Sequence, residues 1–357
     1  MERWWQRGAA GAGAQRVLGA ASGGYRGLLR TREWLYERGV LHSRTLPCPV
    51  VSVGNLTVGG TGKTPAVEMA VRTLIDLGHQ PAVVSRGYGR RSKGIQIVAD
   101  AASIRLDAED AGDEPFLLAR RLPGVPVVVG ANRYEAGRTA VERFGVTAIV
   151  LDDGLQHRTL VKNLEIVMVR AADPWGNRRL LPRGPLREPV SKLARAHLVV
   201  VTGAVTPAEG PEVVAAVARY APSVPVLSAQ HAPTECWESG TMRSVPLDVL
   251  ARMRLLGFAG IASPAGFRRT LEETGATVAD LVTFLDHHWY TRDDVAEVDR
   301  RAADLGVDGL VTTEKDWVRL RRLPPSKRPL YVLGVRLLLT TGEAEWRAAF
   351  RKRCPTP

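Results

Sequence analysis

A glycine-rich segment near the start of the chain has the residue types of a phosphate-binding loop, Gly59-Gly60-Thr61-Gly62-Lys63-Thr64. It follows an apolar run at 50–54 and precedes a helix-like segment at 66–77, so we expect a strand, a loop and a helix N-terminus. At such a junction, backbone N–H groups and the helix dipole favour a bound phosphate. Lys63 would reach the β- and γ-phosphates of a nucleotide, and the Thr64 hydroxyl would ligate Mg²⁺. Thr57 stands where the usual motif has glycine, and a glycine-rich turn without a ligand is the alternative.

Two pairs of adjacent acidic residues have the chemistry to supply metal ligands and a base for phosphoryl transfer. Asp152 and Asp153 follow an apolar run at 148–151, where acidic side chains of a phosphate-binding sheet hold Mg²⁺ directly or through water. The alternative is that one of them only caps the next turn. Asp113 precedes Glu114 and a proline, and a carboxylate there could accept a hydroxyl proton. The competing interpretation is an N-cap of the helix that follows.

Histidine and arginine side chains are concentrated in two further segments. An Asp-His-His run at 286–288 ends a strand-like stretch at 277–285. Because successive side chains of a strand point to opposite faces, we do not expect both histidines to bind one metal. One histidine that orients a carboxylate or accepts its proton is the better hypothesis. The loop at 182–189 carries two arginines, which pair with phosphate through bidentate hydrogen bonds or remain solvated on the surface.

The composition limits the class of protein. The 357 residues, 45% of them hydrophobic, are enough for two α/β domains and argue against a disordered chain. Three scattered cysteines have no zinc or redox spacing, which fits a reducing cytoplasm. The net charge of +12 indicates either an anionic partner, such as nucleic acid, anionic lipid or a phosphorylated substrate, or a surface cause, because an arginine excess also follows the base composition of some genomes. We find no zinc-finger spacing, no aromatic RNA-binding signature and no run of 18 apolar residues that would predict a transmembrane helix.

The first 44 residues combine basic and apolar side chains. Eight arginines stand against three glutamates and are interleaved with tryptophan, leucine and tyrosine, including Trp4 and Trp5. This pattern is typical of an amphipathic segment that lies in a membrane interface. The acidic residues argue against a transit peptide. The alternative is an ordinary helix packed on the core. We expect Gly23-Gly24 to break or bend the segment.

Strand-like and helix-like segments alternate after residue 48. Buried apolar strands separated by helices predict an α/β fold like that of P-loop NTPases, with a mostly parallel sheet covered by helices on both faces. Ligands of such sheets bind at the carboxyl ends of the strands. The motifs described above lie at such ends.

Seven segments, taken in order, resemble the tetraacyldisaccharide 4′-kinase family, the lipid A 4′-kinases of Gram-negative bacteria, over roughly residues 30–320. They are VGNLTVGGTGKTP at 53–65, SRGYG at 85–89, GDEP at 112–115, DDGLQH at 152–157, GPLRE at 184–188, DHH at 286–288 and TEKD at 313–316. The family shares Thr57 in its phosphate loop. The resemblance implies a peripheral kinase on the cytoplasmic face of the inner membrane. Such a kinase would transfer the γ-phosphoryl group of ATP to the 4′-hydroxyl of a tetraacyl glucosamine disaccharide 1-phosphate and yield lipid IVA.

The resemblance also implies roles for individual residues. Asp113 would be the carboxylate at the acceptor hydroxyl, supported by His287, which directly follows the matching aspartate. Arg187 would meet phosphate, and Arg133 and Gln156 are secondary candidates for nucleotide binding. The remaining nucleotide-binding residues would be Gly59, Gly60, Thr61, Gly62, Lys63 and Thr64. The Mg²⁺ ligands would be Thr64, Glu114, Asp152 and Asp153. The catalytic residues would be Asp113, His287, Lys63 and Arg187.

The implied cofactors are ATP and Mg²⁺, and the implied partners are the acylated disaccharide phosphate and an anionic membrane surface, without nucleic acid. A basic, aromatic N-terminus suits an anionic surface. We predict four segments: a membrane-facing basic segment at 1–45, a P-loop kinase core at 46–226, a smaller α/β domain at 227–335 and a closing helical segment at 336–357.

Three other functions remain as alternatives. A P-loop GTPase needs a guanine-reading Asn-Lys-x-Asp loop, and the run at 313–316 lacks the asparagine. A nucleic-acid-binding ATPase is suggested by the charge alone and would show salt-dependent DNA affinity. A kinase for a soluble sugar would show no dependence on acyl chains or detergent.

Overall fold

The computed structural model of the protein describes residues 12–204 and 206–357, so Trp4 and Trp5 lie outside the described residues. The strands are β1 (Val50–Gly54), β2 (Pro81–Ser85), β3 (Gln96–Ala99), β4 (Val127–Val129), β5 (Ala148–Asp152), β6 (Leu164–Arg170), β7 (Leu198–Thr202), β8 (Val226–Glu238), β9 (Arg254–Ala259), β10 (Thr277–Thr283), β11 (Gly309–Thr313) and β12 (Leu330–Thr341). The helices are α1 (Ala12–Glu37), α2 (Lys63–Asp76), α3 (Ala108–Ala111), α4 (Asp113–Arg121), α5 (Arg133–Phe144), α6 (Pro211–Tyr220), α7 (Leu247–Leu250), α8 (Pro264–Glu273), α9 (Arg292–Leu305), α10 (Glu314–Leu320) and α11 (Glu343–Arg353). Short 3₁₀ helices lie at Val190–Arg195 and Pro207–Glu209.

The described strands form one sheet of 12 strands in the order β10-β9-β11-β12-β8-β7-β6-β1-β5-β2-β4-β3. Neighbouring strands are parallel except for the pairs β8–β12 and β3–β4, which are antiparallel. Every residue of β1, β2, β4, β5 and β7 is buried, as expected for strands covered by helices on both faces. The predicted α/β fold with a mostly parallel sheet is therefore confirmed.

The sheet places the chemical motifs next to each other. Strand β1 lies between β5 and β6, with Val53 opposite Asp152 and Ile166. The phosphate loop follows β1. Asp152 is the last residue of β5, and Asp153 comes directly after it. Because parallel strands point their carboxyl ends to the same edge, both motifs lie at one edge of the sheet.

Strands β8 and β12 join the two predicted α/β units, and neither strand was predicted from the sequence. They form a long antiparallel ladder with two register irregularities. These irregularities interrupt the alternation of inward and outward side chains that predicts a strand. One buried cluster contains side chains from both sides of this ladder, including Val51 and Leu256. The predicted boundary at residue 227 falls within β8, and the division into domains stays a prediction. In the predicted closing segment, residues 336–341 belong to β12 and α11 supplies the helix.

The N-terminal helix α1 continues through Gly23-Gly24, so the predicted break is wrong. Two glycines inside a helix cost about 1 kcal/mol each relative to alanine, and contacts of the helix with the core offset this cost. Tyr25 and Leu29 pack against a buried cluster of the core, while Val17 and Leu28 are 70% and 71% exposed. The helix therefore packs on the core along one side and presents apolar side chains to solvent on another. Among the described helices, none combines the length and apolar character needed to cross a membrane.

Candidate active site

The phosphate loop is built as a strand, a tight loop and a helix start. Its backbone is left-handed at Gly59 (φ 106°) and Gly62 (φ 80°), a conformation that strains any residue with a Cβ atom. A Cβ atom added at Gly62 would lie 3.0 Å from His231 Nε2, a tight contact that the histidine ring would have to move to relieve. Gly62 is the N-cap of α2, and no side chain caps this helix. The first N–H groups of α2 and its dipole therefore make an anion site beside Thr61 and Lys63.

Lys63 is held next to the sheet by two oxygen atoms. Its Nζ donates to Asn55 Oδ1 at 3.2 Å and lies 3.8 Å from Asp153 Oδ1. The side chain is only 10% exposed. An ammonium group confined in this way is positioned close to the loop instead of in solvent. This geometry fits the predicted contact of Lys63 with nucleotide phosphates.

The two adjacent aspartates have different surroundings. Asp152 is buried, and its Oδ2 accepts a hydrogen bond from Ser85 Oγ at 2.9 Å, while Oδ1 has no partner among the described residues. Burial, together with the charges of Glu114 and Asp153, raises the pKa of Asp152 to about 7. Asp153 lies at φ 54° and accepts from Arg187 Nη1 at 2.6 Å. Burial raises the pKa of Asp153, but the positive charges of Lys63 and Arg187 outweigh it and the net shift is downward.

Glu114 connects the phosphate loop to the other half of the sheet. Its Oε1 accepts from Lys315 Nζ at 2.5 Å and from Thr64 Oγ1 at 3.4 Å. Burial raises the pKa of Glu114, but Lys315 and then Lys63 outweigh it, and the pKa falls below its ordinary value. Thr64 and Glu114, both predicted as Mg²⁺ ligands, are therefore neighbours.

The donor set fits a magnesium ion that also binds nucleotide phosphates. Among residues 12–204 and 206–357, no group of three or more His, Cys, Asp and Glu side chains is arranged to hold a metal alone. Mg²⁺ usually takes one or two carboxylates, several waters and substrate phosphate oxygens, so a complete protein cage is not required. The buried and unpartnered Oδ1 of Asp152 is a ligand atom of this kind. Asp153 and Thr64 would supply the neighbouring oxygens.

Asp113 and His287 form a hydrogen-bonded pair. Asp113 Oδ2 lies 2.8 Å from His287 Nδ1, and Asp113 is 7% exposed. Gly112 is the N-cap of α4 and Asp113 is the first residue of that helix, so the N-cap interpretation of Asp113 is wrong. Burial raises the pKa of Asp113, but His287, Lys315 and Arg319 lower it to about 2. The same hydrogen bond raises the pKa of His287, which burial only partly counteracts.

The two adjacent histidines have separate partners. His287 adopts a left-handed backbone at φ 60°, which turns its ring towards Asp113. His288 Nε2 instead lies 2.9 Å from Asp294 Oδ2 at the start of α9. The prediction that His287 and not His288 accompanies Asp113 is confirmed for this contact, and its catalytic role stays a prediction.

The remaining predicted residues differ in how close they lie to the phosphate loop. Arg187 faces Asp153 at the loop edge. Arg133 is buried, donates to Ala131 O at 3.0 Å, and has an Nε without a partner among the described residues. Gln156 Nε2 donates to Asn55 O at 2.9 Å, so it shapes the start of the loop through the backbone. Direct nucleotide contacts of Arg133 and Gln156 stay predictions.

Two residues of the site were not among the predicted site residues. Lys315 pairs with Glu114. It is the second residue after the end of β11, and this place at the carboxyl end of a strand could have indicated a site residue. Arg319 is fully buried, and its Nη2 donates to Gly260 O at 3.2 Å while its Nε lies 3.7 Å from Asp113 Oδ2. Arginine is common in the last turn of a helix, so the position of Arg319 in the last turn of α10 gives no sequence signal of such a role.

Comparison with known proteins identifies the family to which the chain is related. The model of the LpxK family, tetraacyldisaccharide-1-P 4′-kinase, matches residues 14–354. The chain is 45% identical over 320 residues to the tetraacyldisaccharide 4′-kinase of Anaeromyxobacter dehalogenans strain 2CP-C, covering 89% of this chain and 85% of the relative. It is 42% identical over 318 residues to that of Syntrophus aciditrophicus strain SB, covering 86% and 84%.

A solved structure agrees with these relatives. The fold is similar to the crystal structure of LpxK from Aquifex aeolicus in complex with ATP, with a TM-score of 0.75 and 30% identity. The similarity covers 96% of this chain and 99% of that chain. The chain therefore belongs to the tetraacyldisaccharide-1-P 4′-kinase family.

Proposed function

We propose that the protein transfers the γ-phosphoryl group of ATP to the 4′-hydroxyl of a tetraacylated glucosamine disaccharide 1-phosphate in lipid A biosynthesis. Family membership supports this activity, and the Asp113–His287 pair beside the phosphate loop is the observation that carries it. A sugar hydroxyl is a poor nucleophile, so a carboxylate must take its proton as the phosphoryl group moves.

The proposed base and the phosphate loop are adjacent through Glu114. Its Oε1 contacts Thr64 on α2 and Lys315 on α10, and Asp113 is the preceding residue of α4. A hydroxyl held at Asp113 is therefore next to a phosphate held at the N-terminus of α2. This adjacency supports direct transfer between two bound substrates.

Asp113 acts in this proposal as a positioned proton acceptor. The acceptor oxygen attacks the γ-phosphorus, its proton moves to Asp113, and the bond to the bridging β,γ-oxygen breaks to release ADP. His287, hydrogen-bonded to Asp113, shares the proton and keeps the carboxylate oriented. A carboxylate with a pKa of about 2 is a weak base. It suits phosphoryl transfer because the transition state is largely dissociative, so position and charge matter more than basicity.

Three cationic side chains surround the proposed path of the phosphoryl group. Lys63 and Arg187 contact Asp153, and Lys315 contacts Glu114. We assign to Lys63 and Arg187 the stabilisation of charge on the transferring group. When bound, Mg²⁺ would neutralise negative charge on the β- and γ-phosphates, next to Asp152.

We also propose that the protein works as a peripheral protein on the cytoplasmic face of the inner membrane. The exposed Val17 and Leu28 lie on α1, away from the side that packs on the core. Apolar side chains beside arginines suit a membrane interface that contains anionic lipid. The acylated substrate would be found there.

The experiment is a transfer assay with γ-labelled ATP, Mg²⁺ and tetraacyldisaccharide 1-phosphate in detergent micelles. We expect labelled lipid from the wild-type protein, and at least about a hundredfold slower turnover from Asp113→Asn, a typical loss for a missing general base. Asp76→Asn is the matched control, since Asp76 is an exposed carboxylate at the far end of α2. Labelled free phosphate without labelled lipid would contradict the proposed acceptor, and full activity of Asp113→Asn would contradict the proposed base.

A further inference from the structure

Helix α1 contacts the residue that we place at the transferring phosphate. Tyr25 Oη donates a hydrogen bond of 2.8 Å to the backbone oxygen of Arg187, across 162 positions of sequence. The Tyr25 ring is half-buried and packs against the core cluster that contains Leu180 and Leu186. The contact is therefore fixed on both sides, by ring packing and by a short hydrogen bond.

The Arg187 segment is paired with the chain that leads into the phosphate loop. Arg187 N donates to Leu56 O at 2.7 Å, and Val58 N donates to Pro185 O at 2.8 Å. Thr57 and Leu186 form an antiparallel bridge between these two bonds. The ladder ends one residue before Gly59. A shift of the Arg187 backbone would therefore act directly on the phosphate loop.

The side chain of Arg187 ends at the phosphate site. Its Nη1 lies 2.6 Å from Asp153 Oδ2, and Asp153 Oδ1 lies 3.8 Å from Lys63 Nζ. Arg187 is thus held at its N–H by Leu56, at its guanidinium by Asp153 and at its carbonyl by Tyr25. Two of these three contacts come from the phosphate-binding core, and the third comes from the N-terminal helix.

We propose that Tyr25 is a positioning residue, through which α1 sets the guanidinium of Arg187 for phosphoryl transfer. The inference rests on the proposed function, with Arg187 at the transferring phosphate. The Leu56 contact holds the peptide plane before Arg187 and the Tyr25 contact holds the plane after it, so together they fix the direction in which the Arg187 side chain leaves the backbone. Small displacements of a charged group at a reaction centre reduce the rate strongly, because preorganised charge is what stabilises the transition state.

Other contacts hold α1 on the core independently of Tyr25. Ser22 Oγ donates to Leu180 O at 3.1 Å, and Arg32 Nη2 lies 3.2 Å from Glu188 Oε1, a carboxylate that is 3% exposed. Leu29 packs on the same cluster as Tyr25. Removing only the Tyr25 hydroxyl therefore leaves the helix docked, and the single contact to Arg187 can be tested.

The test is steady-state kinetics of lipid phosphorylation by Tyr25→Phe in the full chain. We expect kcat to fall about threefold to tenfold, as for loss of one neutral hydrogen bond, with KM for both substrates unchanged and the melting temperature lowered no more than in Ser22→Ala. Binding to vesicles of phosphatidylglycerol and phosphatidylethanolamine is also expected to stay the same. Ser22→Ala is the matched control. It removes a hydrogen bond between the same helix and the same loop, but not at Arg187.

A double-mutant cycle separates positioning from general stability. In an Arg187→Ala background, Tyr25→Phe should cause no further loss of kcat, because the group that it positions is gone. Single-turnover kinetics at high enzyme concentration keep the rate measurable if Arg187→Ala is too slow for steady-state kinetics. The same loss in both backgrounds, an equal loss from Ser22→Ala, or an unchanged kcat of Tyr25→Phe would each overturn the inference. A wild-type protein that fails to label lipid would instead overturn the proposed function.

Discussion

Asp113 Oδ2 lies 2.8 Å from His287 Nδ1, although 174 positions separate the two residues in sequence. Asp113 begins α4, beside the phosphate loop, and His287 lies in the turn after β10 at the far end of the strand order. Arg319 contacts both segments. Its Nη1 donates to the backbone oxygen of His288, next to His287, at 3.3 Å, and its Nε lies 3.7 Å from Asp113 Oδ2. The pair thus joins two distant segments at the proposed reaction centre.

The Asp113–His287 pair predicts how activity depends on pH. The hydrogen bond to Asp113 and its charge raise the pKa of His287 above 6.5, against the opposing effect of burial. Below that raised pKa, His287 is already protonated and cannot share the proton that Asp113 takes from the substrate. We therefore expect kcat to rise with pH, with a midpoint above 6.5. In His287→Gln the rising limb should move to lower pH, towards the pKa of Asp113.

This pH prediction is checked by pH–rate profiles of the two proteins at saturating ATP. His288→Gln is the control, because His288 faces Asp294 instead of Asp113. Identical profiles for the wild-type protein and His287→Gln would show that His287 does not titrate in the reaction.

Replacement of Lys63 should abolish phosphoryl transfer. Lys63→Ala removes the cation that lies at the start of α2, 3.8 Å from Asp153 Oδ1, and with it the stabilisation of phosphate charge. Labelled lipid should fall to the background of the assay. Lys352→Ala, which removes an exposed lysine of α11, should keep normal turnover. Turnover close to normal in Lys63→Ala would contradict the phosphate-loop assignment.

Two glycine-to-alanine substitutions should have opposite effects on stability. Gly62→Ala forces a Cβ atom into a left-handed position, 3.0 Å from His231 Nε2, and should cost about 1–2 kcal/mol. Gly23 lies within helix α1, and a Cβ atom added there would meet no atom of a neighbouring segment within 4 Å. Gly23→Ala should therefore raise the free energy of unfolding by about 0.5–1 kcal/mol. Urea unfolding of both variants measures the two changes. A destabilised Gly23→Ala would mean that α1 is not a continuous helix in solution.

The exposed face of α1 predicts membrane binding. Leu28→Glu places a carboxylate at a position that is 71% exposed, so the fold should be unaffected while affinity for anionic vesicles falls. Val214→Glu, an exposed substitution on α6, serves as the control. Vesicle co-sedimentation of both variants gives the comparison. Equal binding of both would favour a helix that only packs on the core.

The sequence predicted the parts of the fold that depend on local patterns. The sequence pattern predicts a helix at 133–144 and a strand at 198–202, and α5 and β7 have these bounds. Such elements are predictable because a helical spacing of apolar residues, or a short apolar run, is a local pattern. The phosphate loop and the helix after it were also predictable, since a glycine-lysine-threonine run between a strand and a helix is a local feature. Antiparallel β8 and β12 were missed because their register irregularities interrupt the alternation of side chains.

Contacts across the sheet could not be read from local patterns. The resemblance supported the choice of His287, but its link to Asp113 depends on a left-handed turn at φ 60°. Lys315 reaches Glu114 across 201 positions, and Arg187 meets Asp153 across 34, so neither partner follows from sequence spacing. The continuous α1 was mispredicted for the same reason, because its stability comes from contacts with the core.

The order of segments along the chain has a consequence for synthesis on the ribosome. The phosphate loop and Asp113 emerge early, whereas His287 and Lys315 come from the last quarter of the chain. A nascent chain that stops before residue 287 carries the nucleotide-binding elements but lacks both partners of the Asp113–Glu114 pair. In such a chain Asp113 lacks the histidine that orients it, and Glu114 lacks its lysine partner. Both contacts therefore form only after residue 315 has been synthesised.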